Sequence, residues 1–154
     1  SYDAHPHHPN WLIVAIAASG QMRSEARLAG VRRALAKLAQ HMDPRDHVTL
    51  LRYTDQATVV KQSATRDELA ALARSDALVD QKGTADLGGA IRAACKVAEN
   101  VESLDPRQVV VITGDRGNFD RAALPEAVER LSRLTEMNVP WHLIRLAADE
   151  NDAV

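Results

Sequence analysis

Three short polar turns carry the side chains best suited to chemistry. The first holds Ser19, Gln21 and Met22, the second Thr84 and Asp86, and the third Asp115, Arg116 and Asn118. Together they offer hydroxyls, carboxamides, carboxylates and one guanidinium, and Arg116 can hold a carboxylate through two parallel hydrogen bonds. These are groups for binding. Nothing beside them makes a reaction centre: no G-x-G-x-x-G follows the apolar run from Trp11 to Ile16, and there is no Walker A lysine. Ser19-Gly20 is not flanked as a nucleophile elbow either. His41, His47 and His142 are scattered, with no acid–base pairing to Ser19, so the expectation is a chain that is not an enzyme. His142 reads as a packed or edge residue of a strand. Cys95, the single cysteine, falls inside an expected helix, cannot form an intrachain disulfide, and reads as a small buried hydrophobe.

The turns are positioned by the segments between them. Trp11 to Ile16 is continuously apolar, as in a central strand buried on both faces. A helix is expected from about Ser24 to Met42, with Leu28, Val31, Leu35, Leu38 and Met42 on one stripe and Asp43-Pro44 as its stop. His47–Tyr53 and Ala57–Gln62 read as strands joined by only Thr54-Asp55-Gln56, which forces an antiparallel hairpin and leaves the second strand at a sheet edge. Thr65 and Glu68 form a capping box for a helix through Leu69 and Leu72, ending near Leu78.

A further helix is expected from Asp86, as its N-cap, to about Val101, with Leu87, Ile91, Ala94, Ala98 and Val101 on one face. Gly88 and Gly89 weaken its first turn by roughly 1 kcal/mol each, and a usual reason for such glycines is a close approach by another chain segment or a ligand. Val109–Thr113 is a second buried strand. Pro125 suits the start of a last helix with Val128, Leu131, Leu134 and Met137 as its stripe, and Pro140–Leu146 is a final strand. The fold class is therefore α/β: a Rossmann-like, doubly wound, mostly parallel sheet with one antiparallel edge strand and helices on both faces. Right-handed crossovers then bring the three turns to one edge.

At 154 residues the chain makes one domain, expected over 11–146, between an extended His-containing leader (1–10) and a polar tail (147–154). A net charge of −2 gives no sign of nucleic-acid binding, and no apolar run reaches the ~18 residues of a membrane span.

Four segments carry a resemblance to a known family: SGQM (19–22), TLLRYTDQATVV (49–60), GTADLGGAI (83–91) and VVVITGD (109–115). In this order they resemble the von Willebrand factor type A domain, whose bacterial members commonly show such a hairpin. The resemblance implies a metal-ion-dependent adhesion site built from Asp-x-Ser-x-Ser, a Thr before a helix, and an Asp closing a buried strand. An acidic residue of a partner protein completes the coordination. Carried over position by position, Ser19 matches the first serine, Ala17 stands at the aspartate and Gln21 at the second serine. Ala85 falls at the threonine, and either Gly114 or, with a one-residue shift, Asp115 falls at the last aspartate.

Mg²⁺ requires near-octahedral oxygen ligands, usually including a carboxylate or two, and Ala17 supplies none. The expectation is thus a non-enzymatic, metal-independent protein-interaction module with no cofactor. Its contact residues would be Ser19, Gln21, Met22, Thr84, Asp86, Asp115, Arg116 and Asn118. Its partner would be another protein or another domain of the parent chain, with no nucleic acid and no direct membrane insertion. The alternative is a weakened Mg²⁺ or Mn²⁺ site that keeps Ser19 and Asp115. The exposed edge strand, which carries Lys61, is a second possible contact surface.

Overall fold

The computed structural model of the chain describes residues 9–17, 25–53, 56–78, 87–100, 105–113 and 124–146. Its elements are β1 (Trp11–Ala17), α1 (Glu25–His41), β2 (His47–Tyr53), β3 (Ala57–Ala64), α2 (Arg66–Leu72), a 3₁₀ turn (Asp76–Leu78), α3 (Leu87–Ala98), β4 (Arg107–Thr113), α4 (Leu124–Glu136) and β5 (Trp141–Arg145). The five strands form one sheet in the order β3-β2-β1-β4-β5. Only the β2–β3 pair is antiparallel. The expected α/β sheet with its single antiparallel edge strand is the architecture observed.

All seven residues of β1 are buried, because successive side chains enter two different cores. Trp11, Ile13, Ala15 and Ala17 pack with Leu51, Val109 and Val111 beneath α3 and α4. Leu12, Val14 and Ile16 pack with Val48, Leu50, Val110 and Ile112 beneath α1 and α2, which contribute Val31, Leu35 and Leu69. On its other flank α1 meets the chain just after β5, where Gly30 lies against Leu146.

The expected segments hold with four corrections. β3 runs to Ala64, two residues past Gln62, with register shifts opposite Val48–Leu51. The helix opened by Thr65 stops at Leu72 instead of continuing to Leu78, where a 3₁₀ turn follows. Its capping box is present: Glu68 N donates to Thr65 Oγ1 at 3.3 Å and Thr65 N to Glu68 Oε1 at 3.1 Å. β4 starts at Arg107, two residues early, because Arg107 and Gln108 already pair with Trp11 and Leu12 of β1; Arg107 Nη1 also donates to the Ala98 and Asn100 carbonyls at 2.5 and 2.6 Å.

In α4 the stripe is Ala127, Leu131 and Leu134, while Val128 and Met137 are 53% and 42% exposed. The helix is phased by its seam with α3, where Arg130 meets Glu99 at 3.0 Å. It ends in a Schellman turn, with Asn138 at φ 60° and Val139 N bonded to Leu134 O. The expected Asp86 N-cap and Val101 lie outside the described residues, as do the leader through His8 and the tail.

The amino ends of β1 and β2 are tied by polar groups. Buried Asp46 accepts from Asn10 N and Asp43 N at 2.8 and 2.9 Å. Trp11 Nε1 donates to Thr49 Oγ1, which donates to the Gln62 carbonyl of β3. His47 stacks on Trp11 with ring centroids 5.7 Å apart and reaches Asp105 at 3.1 Å. This histidine is thus built into the base of the sheet, and His142 is exposed on edge strand β5.

Cys95 is fully buried in the core under α3, as expected. Burial, and secondarily the Glu99 charge, push its thiol up to about 11. Since the folded chain holds this proton more tightly than the unfolded one, the associated stability is intact below about pH 9 and is lost as pH rises toward 11. Alkylation by iodoacetamide at neutral pH is accordingly expected only at the rate of unfolding. Labelling of the native chain as fast as the urea-unfolded chain would contradict this.

Candidate functional site

The carboxyl ends of the four parallel strands finish level. Tyr53 of β2 stands opposite Ala17 of β1, Ala17 opposite Thr113 of β4, and Thr113 opposite Arg145 of β5. From β1 the chain winds through α1 to β2 on one side, and from β4 through α4 to β5 on the other. The winding therefore reverses between Ala17 and Thr113. Open α/β sheets place their ligand crevices outside the strand ends at such a switch point, because the two connecting loops diverge there.

The eight residues expected from the sequence, Ser19, Gln21, Met22, Thr84, Asp86, Asp115, Arg116 and Asn118, lie outside the described residues. Their flanks are described. Ala17 immediately precedes the first turn and Thr113 the third, in adjacent strands. Leu87 immediately follows the second and opens α3. In the first turn of that helix Gly89 lies so close over Tyr53, the last residue of β2, that an added Cβ would overlap ring atoms Cζ, Cε1 and Oη. The described flanks Ala17, Thr113 and the start of α3 thus lie along one edge of the sheet.

Tyr53 is the residue that the sequence did not single out. Paired glycines announced a close approach at the start of α3, but not which side chain approached. The ring is buried, and Arg92 donates to its hydroxyl, which with Glu126 holds the guanidinium above the usual arginine range. From Arg92 the pairing continues to Glu126 of α4 at 3.2 Å, then to Arg130 at 3.8 Å and back to Glu99, just past α3, at 3.0 Å. This relay links α3 to α4 and α3 to the end of β2, beside the flank of the second turn. Pairs this exposed contribute at most about 1 kcal/mol each.

The edge is distinct from two cavities among the described residues. One, of about 690 Å³, lies at the opposite end of β1 between Trp11, Val59 and Val97. The other, of about 620 Å³, lies between α1 and α2. Among the described residues no cluster of His, Cys, Asp and Glu could hold a metal ion, and no helix is long and apolar enough to cross a membrane.

The same architecture occurs in solved structures. A conserved hypothetical protein BatB from Bacteroides thetaiotaomicron is 22% identical over 88% of this chain and 65% of its own, with a TM-score of 0.60. An aerotolerance-related membrane protein from Bacteroides fragilis is 18% identical over 88% of this chain and 66% of its own, with a TM-score of 0.57. A von Willebrand factor type A protein from Catenulispora acidiphila is 16% identical over 90% of this chain, with a TM-score of 0.63. The chain spans about two thirds of the length of each Bacteroides protein and 33% of the Catenulispora one. No protein of curated function matches it. Residues 12–118, well over half of the sequence, match the von Willebrand factor type A domain, and the chain belongs to that family.

Proposed function

We propose that this domain binds another protein, or another domain of its parent chain, through the switch-point edge and without a metal ion. Domains of this family are in general interaction modules and not enzymes, which supports a non-catalytic role. The observation that carries the metal-independent reading is Ala17. It closes β1 at the switch point, is 1% exposed, and has its methyl in the apolar cluster with Leu51 and Ala90. A hard cation at this edge needs anionic oxygen, and this position supplies a hydrocarbon. The residues present do not fit the ion that the family motif would hold. Attraction of an acidic partner residue then falls to Arg116, through paired hydrogen bonds.

Titration with Mg²⁺ and Mn²⁺ followed by thermal unfolding tests this directly. Bound cation raises stability by RT ln(1 + [L]/Kd), about 2.7 kcal/mol when the cation is at 100 times Kd. No change in melting temperature at about 10 mM cation is expected. A rise of several degrees would instead support a retained site using Ser19 and Asp115. Pull-down from the native host with the parent domain and Arg116→Glu is expected to lose its partner in the variant.

A further inference from the structure

The geometry points to a second binding surface, the groove between α1 and α2, built to seat an acidic amphipathic helix of a partner protein. The groove has a volume of about 620 Å³, and its floor is made of alanines: Ala36 and Ala39 from α1, Ala70 from α2 and Ala73 at its C-cap. Small side chains from two packed helices leave room for the projecting side chains of a third. The α1 wall runs from Arg32 to Gln40, about 12 Å at 1.5 Å per residue, which matches roughly two helical turns. Two apolar side chains four residues apart on an incoming helix would therefore fill it.

Charge decides what kind of helix. Both walls carry arginines, Arg32 and Arg33 on one and Arg66 and Arg74 on the other, against a single lining acid, Asp67. Asp67 lies 3.7 Å from Arg66, and Arg32 reaches the Ser75 carbonyl at 3.3 Å and Asp76 at 3.7 Å. Arg33 and Arg74 are exposed and pair with no described residue. The chain as a whole carries a net charge of −2, so this concentration of guanidinium groups is local. An apolar floor between cationic rims is complementary to a helix with two apolar residues flanked by glutamates. It repels a basic or neutral–basic one.

This surface lies on the helical face, apart from the switch-point edge, and does not rest on the metal-independent reading. The test is fluorescence anisotropy with a labelled helical peptide of roughly twelve residues, in which two leucines four apart are flanked by glutamates, and with its lysine counterpart. The glutamate peptide is expected to bind the parent chain and to lose affinity as salt rises from about 50 to about 300 mM. R33E/R74E is expected to weaken it at least about tenfold and to gain the lysine peptide, a charge reversal. Neither arginine pairs with a described residue, so the variant should melt with the parent; A36L, which fills the floor without changing charge, is a second blocking variant. Arg116→Glu should leave peptide binding unchanged, which separates this surface from the other. Absence of binding by the glutamate peptide, equal binding to parent and R33E/R74E, or binding of the lysine peptide to the parent would each overturn the proposal. So would self-association of the chain that R33E/R74E abolishes, since a second copy would then be the occupant.

Discussion

Gly89→Ala is expected to lower stability by about 2 kcal/mol, although helix propensity alone predicts a gain. Alanine is favoured over glycine inside a helix by about 1 kcal/mol. At this position the new methyl would overlap the Tyr53 ring, and overpacking a well-filled core costs about 1–3 kcal/mol, more where the obstacle cannot move. Tyr53 is such an obstacle. Its ring is rigid, buried on the last residue of β2, and held at its hydroxyl by Arg92, itself bonded to Glu126. The alternative to moving the ring is moving the start of α3, which carries the flank of the second turn. Urea denaturation of the single variants and of Gly89→Ala with Tyr53→Ala measures the coupling. Removing the ring leaves a cavity, so Tyr53→Ala is destabilising alone, yet the pair should be less destabilised than the sum by about 1–2 kcal/mol. Additive effects, or a stabilising Gly89→Ala, would show that the ring and the helix do not meet as described.

The same contact shows how far the sequence could be read. Strand β1 was legible because a residue buried on both faces must be apolar at every position, and Trp11–Ile16 is. The hairpin was legible because three residues cannot make a parallel crossover. The helix after Thr65 had its beginning written in a capping box. Its end was not written, because nothing at Leu72 breaks a helix locally, and the chain turns there to follow the packing of Leu69 and Ala73 against the sheet. In α4 the expected Leu131 and Leu134 do face the core, but the neighbouring helix is lined by Ala94 and Ala98, and the seam takes Ala127 beside them in place of Val128 and Met137. Gly89 announced a close approach without naming Tyr53, since proximity across 36 residues leaves no local pattern. The arginine groove was equally silent: its charges come from two helices that only tertiary packing sets side by side.

Ala17→Asp brings the functional reading and the fold into one measurement. Alone, the substitution is expected to lower stability by about 3 kcal/mol, since it puts a carboxylate into the apolar cluster formed with Leu51, Ala90 and Val111. On one side the Tyr53 hydroxyl already accepts from Arg92. Divalent cation should return little of this loss to the single variant, because one carboxylate and a hydroxyl leave most of the coordination sphere to water. Combining Ala17→Asp with Gln21→Ser, Ala85→Thr and Gly114→Asp supplies the oxygens of the family motif. With a Kd of ~0.1 mM, about 10 mM Mn²⁺ would then stabilise the fold by about 2.7 kcal/mol, close to the amount lost. Melting temperatures with and without Mn²⁺ for parent, single and fourfold variants give the three numbers needed. The metal-independent reading requires a flat response in the parent and a large one in the fourfold variant. A parent that responds as strongly would mean that the cation is held without position 17, by oxygens of the turns alone, and that this alanine marks no loss.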